Sequence, residues 1–194
     1  MKNTTLIIFL VILAFLGIKG CSSYNGLVNK DENVSKAWSN VESAYQRRAD
    51  LIPNLVNTVK GYADHEKSTL EAVIQARANA TSTKIDPSNL TPEAFKKFQE
   101  AQQGLSGALS RLLVSVERYP DLKANQNFLE LQSQLEGTEN RINVERNKFN
   151  EVVTDYNKSV RRFPNNLFAG MFGFARKATF EAKSGSDEAP KVNF

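Results

Sequence analysis

The chain has 194 residues, of which 41% are hydrophobic and 24% charged, with a formal net charge of +4. That length supplies one domain with a core of its own, and because Lys2 and Lys19 lie in the N-terminal segment the remainder is close to charge balance. Charges of both signs are interspersed with no segregated basic stripe, which argues against nucleic-acid binding, and the single cysteine, Cys21, excludes an intramolecular disulfide.

Residues 1–21 read as a targeting or anchoring segment. Lys2 is followed by an apolar run from Leu6 to Ile18, which at about 1.5 Å per residue covers roughly 20 Å and falls short of the roughly 20 residues of a spanning helix. Gly20-Cys21-Ser22-Ser23 resembles a bacterial lipoprotein processing site, with Ile18 suited to the third position before the cut and Cys21 as the lipidated residue. Lys19 replaces the small residue usual there and keeps an uncleaved single-pass anchor as the alternative. Either reading exports the body of the chain.

From Tyr24 the pattern turns helical. Leu27, Val34, Trp38, Val41 and Tyr45 recur at three- and four-residue spacing, with Asp31 and Arg48 in two slots of the same seam. Pro53 is the proline inside this periodic stretch, and since it lacks an amide hydrogen and crowds the carbonyl four residues back, a helix break is expected there. Asp50 would cap a second helix of about thirty residues running through Val59, Leu70, Val73 and Ala80, with a single kinked helix from about 30 to 82 as the competing reading.

Residues 81–90 are a loop by composition, and Thr91-Pro92-Glu93 carries the signals of a helix start. The third helix follows Phe95, Phe98, Leu105, Leu109, Leu112, Val116 and Tyr119, with Gln102 as a polar intruder. Gly104 and Gly107 weaken it by up to about 1 kcal/mol each and suggest the close approach of a neighbouring helix. After a turn at Pro120 the fourth seam runs Phe128, Leu131, Leu135, Thr138, Ile142, Glu145, Phe149, Val152, Tyr156, Val160 and Phe163. Four such rods predict an all-α protein, an up-and-down antiparallel four-helix bundle of long helices. The Phe- and Gly-rich stretch from Asn165 to Lys177 either folds back on the bundle or rests on a membrane with Arg176 and Lys177 facing headgroups, and 183–194 reads as a disordered tail.

With these residues in view the chain resembles the LemA family over 24–180. The resemblance rests on Tyr24-Asn25-Gly26-Leu27-Val28, on Ala37-Trp38 and Val41-Glu42, on the run from Tyr45 to Val56, on Lys60-Gly61-Tyr62-Ala63 and His65-Glu66, on Ala76-Arg77, and on Gln134 to Ile142. It implies long antiparallel helices behind an N-terminal membrane segment in a bacterial envelope, and it implies no established activity.

The residues themselves offer little for catalysis. His65 stands between Asp64 and Glu66, whose carboxylates point to different helix faces, so no metal or other cofactor is expected. No phosphate-cradling glycine loop or nucleophile-base pair is visible. The charged stretches holding Arg47, Arg48 and Asp50 on one side and Glu136, Glu139 and Arg141 on the other predict either an interhelical polar network, Arg47 or Arg48 meeting Glu136 or Glu139, or a docking site. The expected function is that of a non-enzymatic, membrane-tethered scaffold or interaction protein on the periplasmic side. It would work through unidentified envelope proteins or self-association. The alternative is an envelope-stress or sensory component whose packing changes at Pro53.

Overall fold

The two longest apolar seams become the two longest helices. In a computed structural model that describes residues 2–62, 66–88 and 90–180, the regular elements are all α-helices: α1 (Lys2–Lys60), α2 (Lys67–Ser82), α3 (Pro92–Val116), α4 (Pro120–Lys123), α5 (Gln126–Arg161) and α6 (Asn165–Phe172). The tail expected over 183–194 lies outside the described residues, as do Asp64 and His65.

The expected break at Pro53 is absent: α1 continues through it to Lys60. A proline inside a helix leaves the carbonyl four residues back without its amide donor, and here that carbonyl, Ala49, accepts a 2.7 Å hydrogen bond from Arg77 Nε of α2. The side chain of a second helix replaces the missing amide, and the helix survives. Asp50 is therefore an exposed mid-helix residue bonded to Gln46 Nε2 at 2.7 Å, not a cap. The chain reverses instead after Lys60, where Tyr62 N bonds Val59 O at 3.0 Å, so the single helix to residue 82 is also excluded.

The starts of α3 and α5 follow their local chemistry. Thr91 Oγ1 accepts from Ala94 N at 3.2 Å with Pro92 in the first turn, and Asn125 Oδ1 accepts from Phe128 N at 3.1 Å. Opposed directions are fixed by the cross-helix pairs. Arg48 meets Glu139 and Lys30 meets Asp155, so α5 runs antiparallel to α1. Arg77 reaching Ala49 sends α2 back along α1, while Arg48 to Ser106 and Glu66 to Arg118 send α3 forward again.

Burial falls into two clusters, each side chain contributing about 1.5–3 kcal/mol. One is aromatic, with Trp38 ringed by Phe95, Phe98, Phe149 and Phe180 at centroid distances of 5.2–6.2 Å. The other is aliphatic, built on Ile52, Leu55, Val59, Val73, Leu105, Leu112 and Leu122. Phe163, the last residue of the predicted fourth seam, is 76% exposed because α5 ends at Arg161.

Beyond α5 the chain folds back, as one of the two sequence readings expected. Gly173, in the left-handed region at φ 77°, ends α6 and turns the chain. Residues 174–180 then run extended against α5, held by two asparagines. Asn157 pairs with both backbone groups of Lys177 at 2.9 Å, and Asn150 with those of Phe180 at 2.8 and 2.9 Å. Seven residues of helix span about 10.5 Å and three of extended chain about 10 Å, so the two pairs come into register together. Lys177 does not face headgroups: it is buried, 2.8 Å from Asp31, 3.0 Å from Pro87 O and over the Tyr156 ring.

Candidate functional site

The two hydrophobic clusters are divided by a polar layer. On α1 the aromatic cluster ends at Tyr45 and the aliphatic one begins at Ile52; on α3 the corresponding limits are Phe98 and Leu105, and on α5 they are Ile142 and Leu135. Arg48, Gln102 and Glu139 fill these gaps. Each was visible in the sequence as a polar slot in an apolar seam or beside one, but their meeting was not.

Arg48 is 3% exposed and bonds two other helices directly. Nη1 donates to Glu139 Oε2 and to Ser106 Oγ, both at 2.9 Å, and Nη2 donates to Gln102 Oε1 at 2.8 Å. Gln102 in turn donates from Nε2 to Ala80 O at the end of α2, 3.2 Å away. One guanidinium thus links α1, α3 and α5 directly and α2 through an amide. The planar fork suits this, since its two terminal nitrogens diverge in fixed directions and both find acceptors. Arg48 Nε, also buried, has no hydrogen-bond partner, and the guanidinium lies 5.2 Å from the Tyr45 ring centroid. Burial raises the Tyr45 phenol above its usual range, against the lowering influence of Arg146 and Arg48.

Of the sequence-predicted site residues, the structure unites only Arg48 and Glu139. Arg47 is exposed beside a separate recess with Arg141, Glu136 accepts from Gln132 on its own helix at 3.2 Å, and Arg141 pairs with Glu145 at 2.8 Å. Glu145, 2% exposed on the α5 seam, is held by Arg141 and Lys148 of its own helix. Another tie escaped the sequence reading: Glu66, at the start of α2, accepts from Arg118 at 2.7 Å and from the Tyr119 hydroxyl at 3.1 Å.

Outside the polar layer α3 and α5 stand apart, leaving a groove of about 510 Å³ floored by Tyr45 and Arg48 and walled by Gln99, Gln103, Ser110 and Arg146. Gly107 lines it, and a side chain at Gly104 or Gly107 would meet nothing within 4 Å, so these glycines do not serve a close helix approach. Ser106 Oγ donates to Gln102 O at 3.2 Å while accepting from Arg48, which leaves its proton committed to a backbone carbonyl. What the groove presents is hydrogen-bonding amides and hydroxyls beside the Arg48–Glu139 ion pair, whose carboxylate is the more exposed partner. Among the described residues no three His, Cys, Asp or Glu side chains gather where they would hold a metal ion.

The architecture is that of an all-helical protein whose long first helix is bound to its partners through a buried arginine layer. The LemA family model matches residues 37–194, and the chain belongs to the LemA family. It is similar to Magnetosome protein MamQ 2 of Paramagnetospirillum magneticum, with 27% identity over 84% of this chain and 66% of that protein. Magnetosome protein MamQ of Magnetospirillum gryphiswaldense is 28% identical with the same coverage, and Protein LemA of Metamycoplasma hominis 25% identical over 81% of this chain and 68% of that protein. The chain thus spans just under two thirds of the length of the MamQ relatives it matches.

Proposed function

We propose that this chain is a membrane-tethered, extracytoplasmic helical scaffold that holds an extended segment of a partner protein in the groove between α3 and α5. In this reading α1, α2, α3 and α5 form an up-and-down four-helix bundle of unequal rods, and α1 doubles as the tether. The groove over Arg48 carries the proposal: amides and hydroxyls at its walls, with the partly exposed Glu139 carboxylate that Arg48 holds in place, match the donors and acceptors of a peptide main chain. No helix among the described residues is long and apolar enough to cross a membrane. The tether is then partial insertion of the apolar start of an uncut α1, or lipid on the exposed Cys21 after the cut. The sensor alternative placed its packing change at Pro53, where α1 runs unbroken and Arg77 holds the freed Ala49 carbonyl.

The test is site-specific photocrosslinking of the full chain in its native envelope. A crosslinker at Gln103 should give discrete adducts that an exposed control position such as Lys67 does not. Equal patterns from both positions, or none from Gln103, would remove the docking role. Metabolic labelling with a fatty-acid probe in wild type and Cys21→Ser decides the lipid.

A further inference from the structure

Helix α6 carries no charged residue along its eight positions, Asn165 to Phe172. Its inner side is accounted for: Ala169 is buried, Phe172 stacks edge-on against Tyr24 at 4.9 Å, the Phe168 ring sits 3.2 Å from where a side chain at Gly20 would begin, and Asn165 accepts from Ser23 at 2.9 Å. The outer side carries the exposed Asn166 and, beside it, large apolar side chains. Leu167 is 58% and Met171 76% exposed, one turn apart on a single face, and Phe163, in the turn before the helix, is also 76% exposed. Apolar surface at Leu167 and Met171 is thus left uncovered by any described residue, which a short helix facing only water would not favour.

Its position says what would cover it. The contacts at Gly20, Ser23 and Tyr24 hold α6 directly beyond Ile18, the end of the apolar run of α1, whose Ile7, Ile8, Phe9, Leu10 and Val11 are each more than half exposed. Beside α6 lies a recess of about 740 Å³ lined by Lys158, Arg161, Arg162 and Lys30, with one carboxylate, Asp155, already engaged by Lys30. An apolar ledge flanked by cations, at the level where an apolar helix leaves lipid, has the chemistry of the headgroup boundary of an anionic bilayer.

We infer that α6 seats on the bilayer surface as a second membrane contact, with Phe163, Leu167 and Met171 in the headgroup-acyl boundary and Lys158, Arg161 and Arg162 on anionic phosphates. The inference rests on the tether proposed above. With α1 alone the bundle would swivel about one axis; with α6 seated, one side of α1 is pinned to the membrane and the bundle's orientation is set.

The test places an environment-sensitive fluorescent amino acid at Met171, and separately at the exposed Lys97 of α3, in the otherwise native full chain. The chain is reconstituted with vesicles of phosphatidylcholine alone or mixed with phosphatidylglycerol. Seating predicts a blue-shifted Met171 probe, quenched severalfold more by nitroxide-labelled lipid than by aqueous iodide, with the reverse at Lys97. Arg161→Glu with Arg162→Glu should weaken the lipid quenching in the anionic vesicles and leave flotation unchanged. A Met171 probe open to iodide in chains that float overturns the seating and spares the tether; one shielded from both quenchers assigns the face to a protein and overturns it equally. Failure of the native chain to float removes the tether and the seating with it.

Discussion

Arg77 Nε of α2 donates a 2.7 Å hydrogen bond to the carbonyl oxygen of Ala49, the atom that Pro53 leaves without a helical donor. The proline therefore opens an acceptor on α1 and does not end the helix. A carbonyl already bonded within its own helix would be a poor anchor for a guanidinium, whereas a freed one in a partly buried position gains a charged donor. The two elements α1 and α2 are clipped together at this point.

That reading predicts coupling between Pro53 and Arg77. Arg77→Ala should cost about 1–3 kcal/mol, the range for stranding a partly buried carbonyl that lost a charged partner. In a Pro53→Ala background the amide returns, and the same change should cost markedly less. A double-mutant cycle by chemical denaturation measures this, and additive effects would refute the clip.

Arg48 should prove the least replaceable polar residue. Arg48→Ala leaves Gln102, Ser106 and Glu139 without their shared donor and opens a void between the two clusters, a loss of about 1–3 kcal/mol for each buried acceptor stranded. Arg48→Lys should recover little, since one ammonium does not span acceptors set by a planar fork. Glu139→Ala leaves the buried Arg48 guanidinium without its countercharge and should also destabilise, whereas once Arg48 is gone the same change to the 44% exposed Glu139 should cost almost nothing. Thermal melts of the two single variants and the double variant decide the matter.

The C-terminal strap gives a local prediction. Asn150→Ala strands both backbone groups of Phe180, and Asn157→Ala those of Lys177. Amide exchange at Phe180 should accelerate by tenfold or more in Asn150→Ala, following a loss of about 1.4 kcal/mol or more, while exchange in α2 stays unchanged. Uniform acceleration through the whole chain would show that the strap does not open on its own.

Burial, followed by the nearby Asp31 carboxylate, pushes the Tyr156 phenol up to about 12. Between the ordinary tyrosine value near 10 and that figure the unfolded chain releases a proton that the folded chain retains. Stability contributed by this group is complete below pH ~10 and is lost as pH rises towards ~12. Denaturation midpoints across that window should fall, and Tyr156→Phe should make the decline shallower. Tyr45, also raised by burial, accounts for part of what remains.

How much of this was readable in advance depends on the range of each interaction. Leu27, Trp38, Val41 and Tyr45 on α1, and Phe128, Ile142, Phe149 and Tyr156 on α5, are buried as their spacing required, because a 3.6-residue period places them on one face whatever that face meets. Thr91 and Asn125 cap their helices through atoms three residues away. The fate of Pro53 was misread for the same reason: its effect on its own helix is local, but its rescue by Arg77 comes from 28 residues along the chain. Phe163 and Asp50 followed from where helices stop, which periodicity alone does not give.

The order of apolar and polar residues, by itself, determined an all-helical chain of long rods with an apolar run near its start, since helix period and capping are encoded within a few residues. Only the tertiary structure decided that Arg48, Gln102 and Glu139 share one layer between an aromatic and an aliphatic core, and that α6 comes to rest beside Gly20. Those outcomes depend on how far each helix slides along its neighbour. That register is fixed by side chains from distant parts of the chain filling the same space, and no single stretch of sequence contains it.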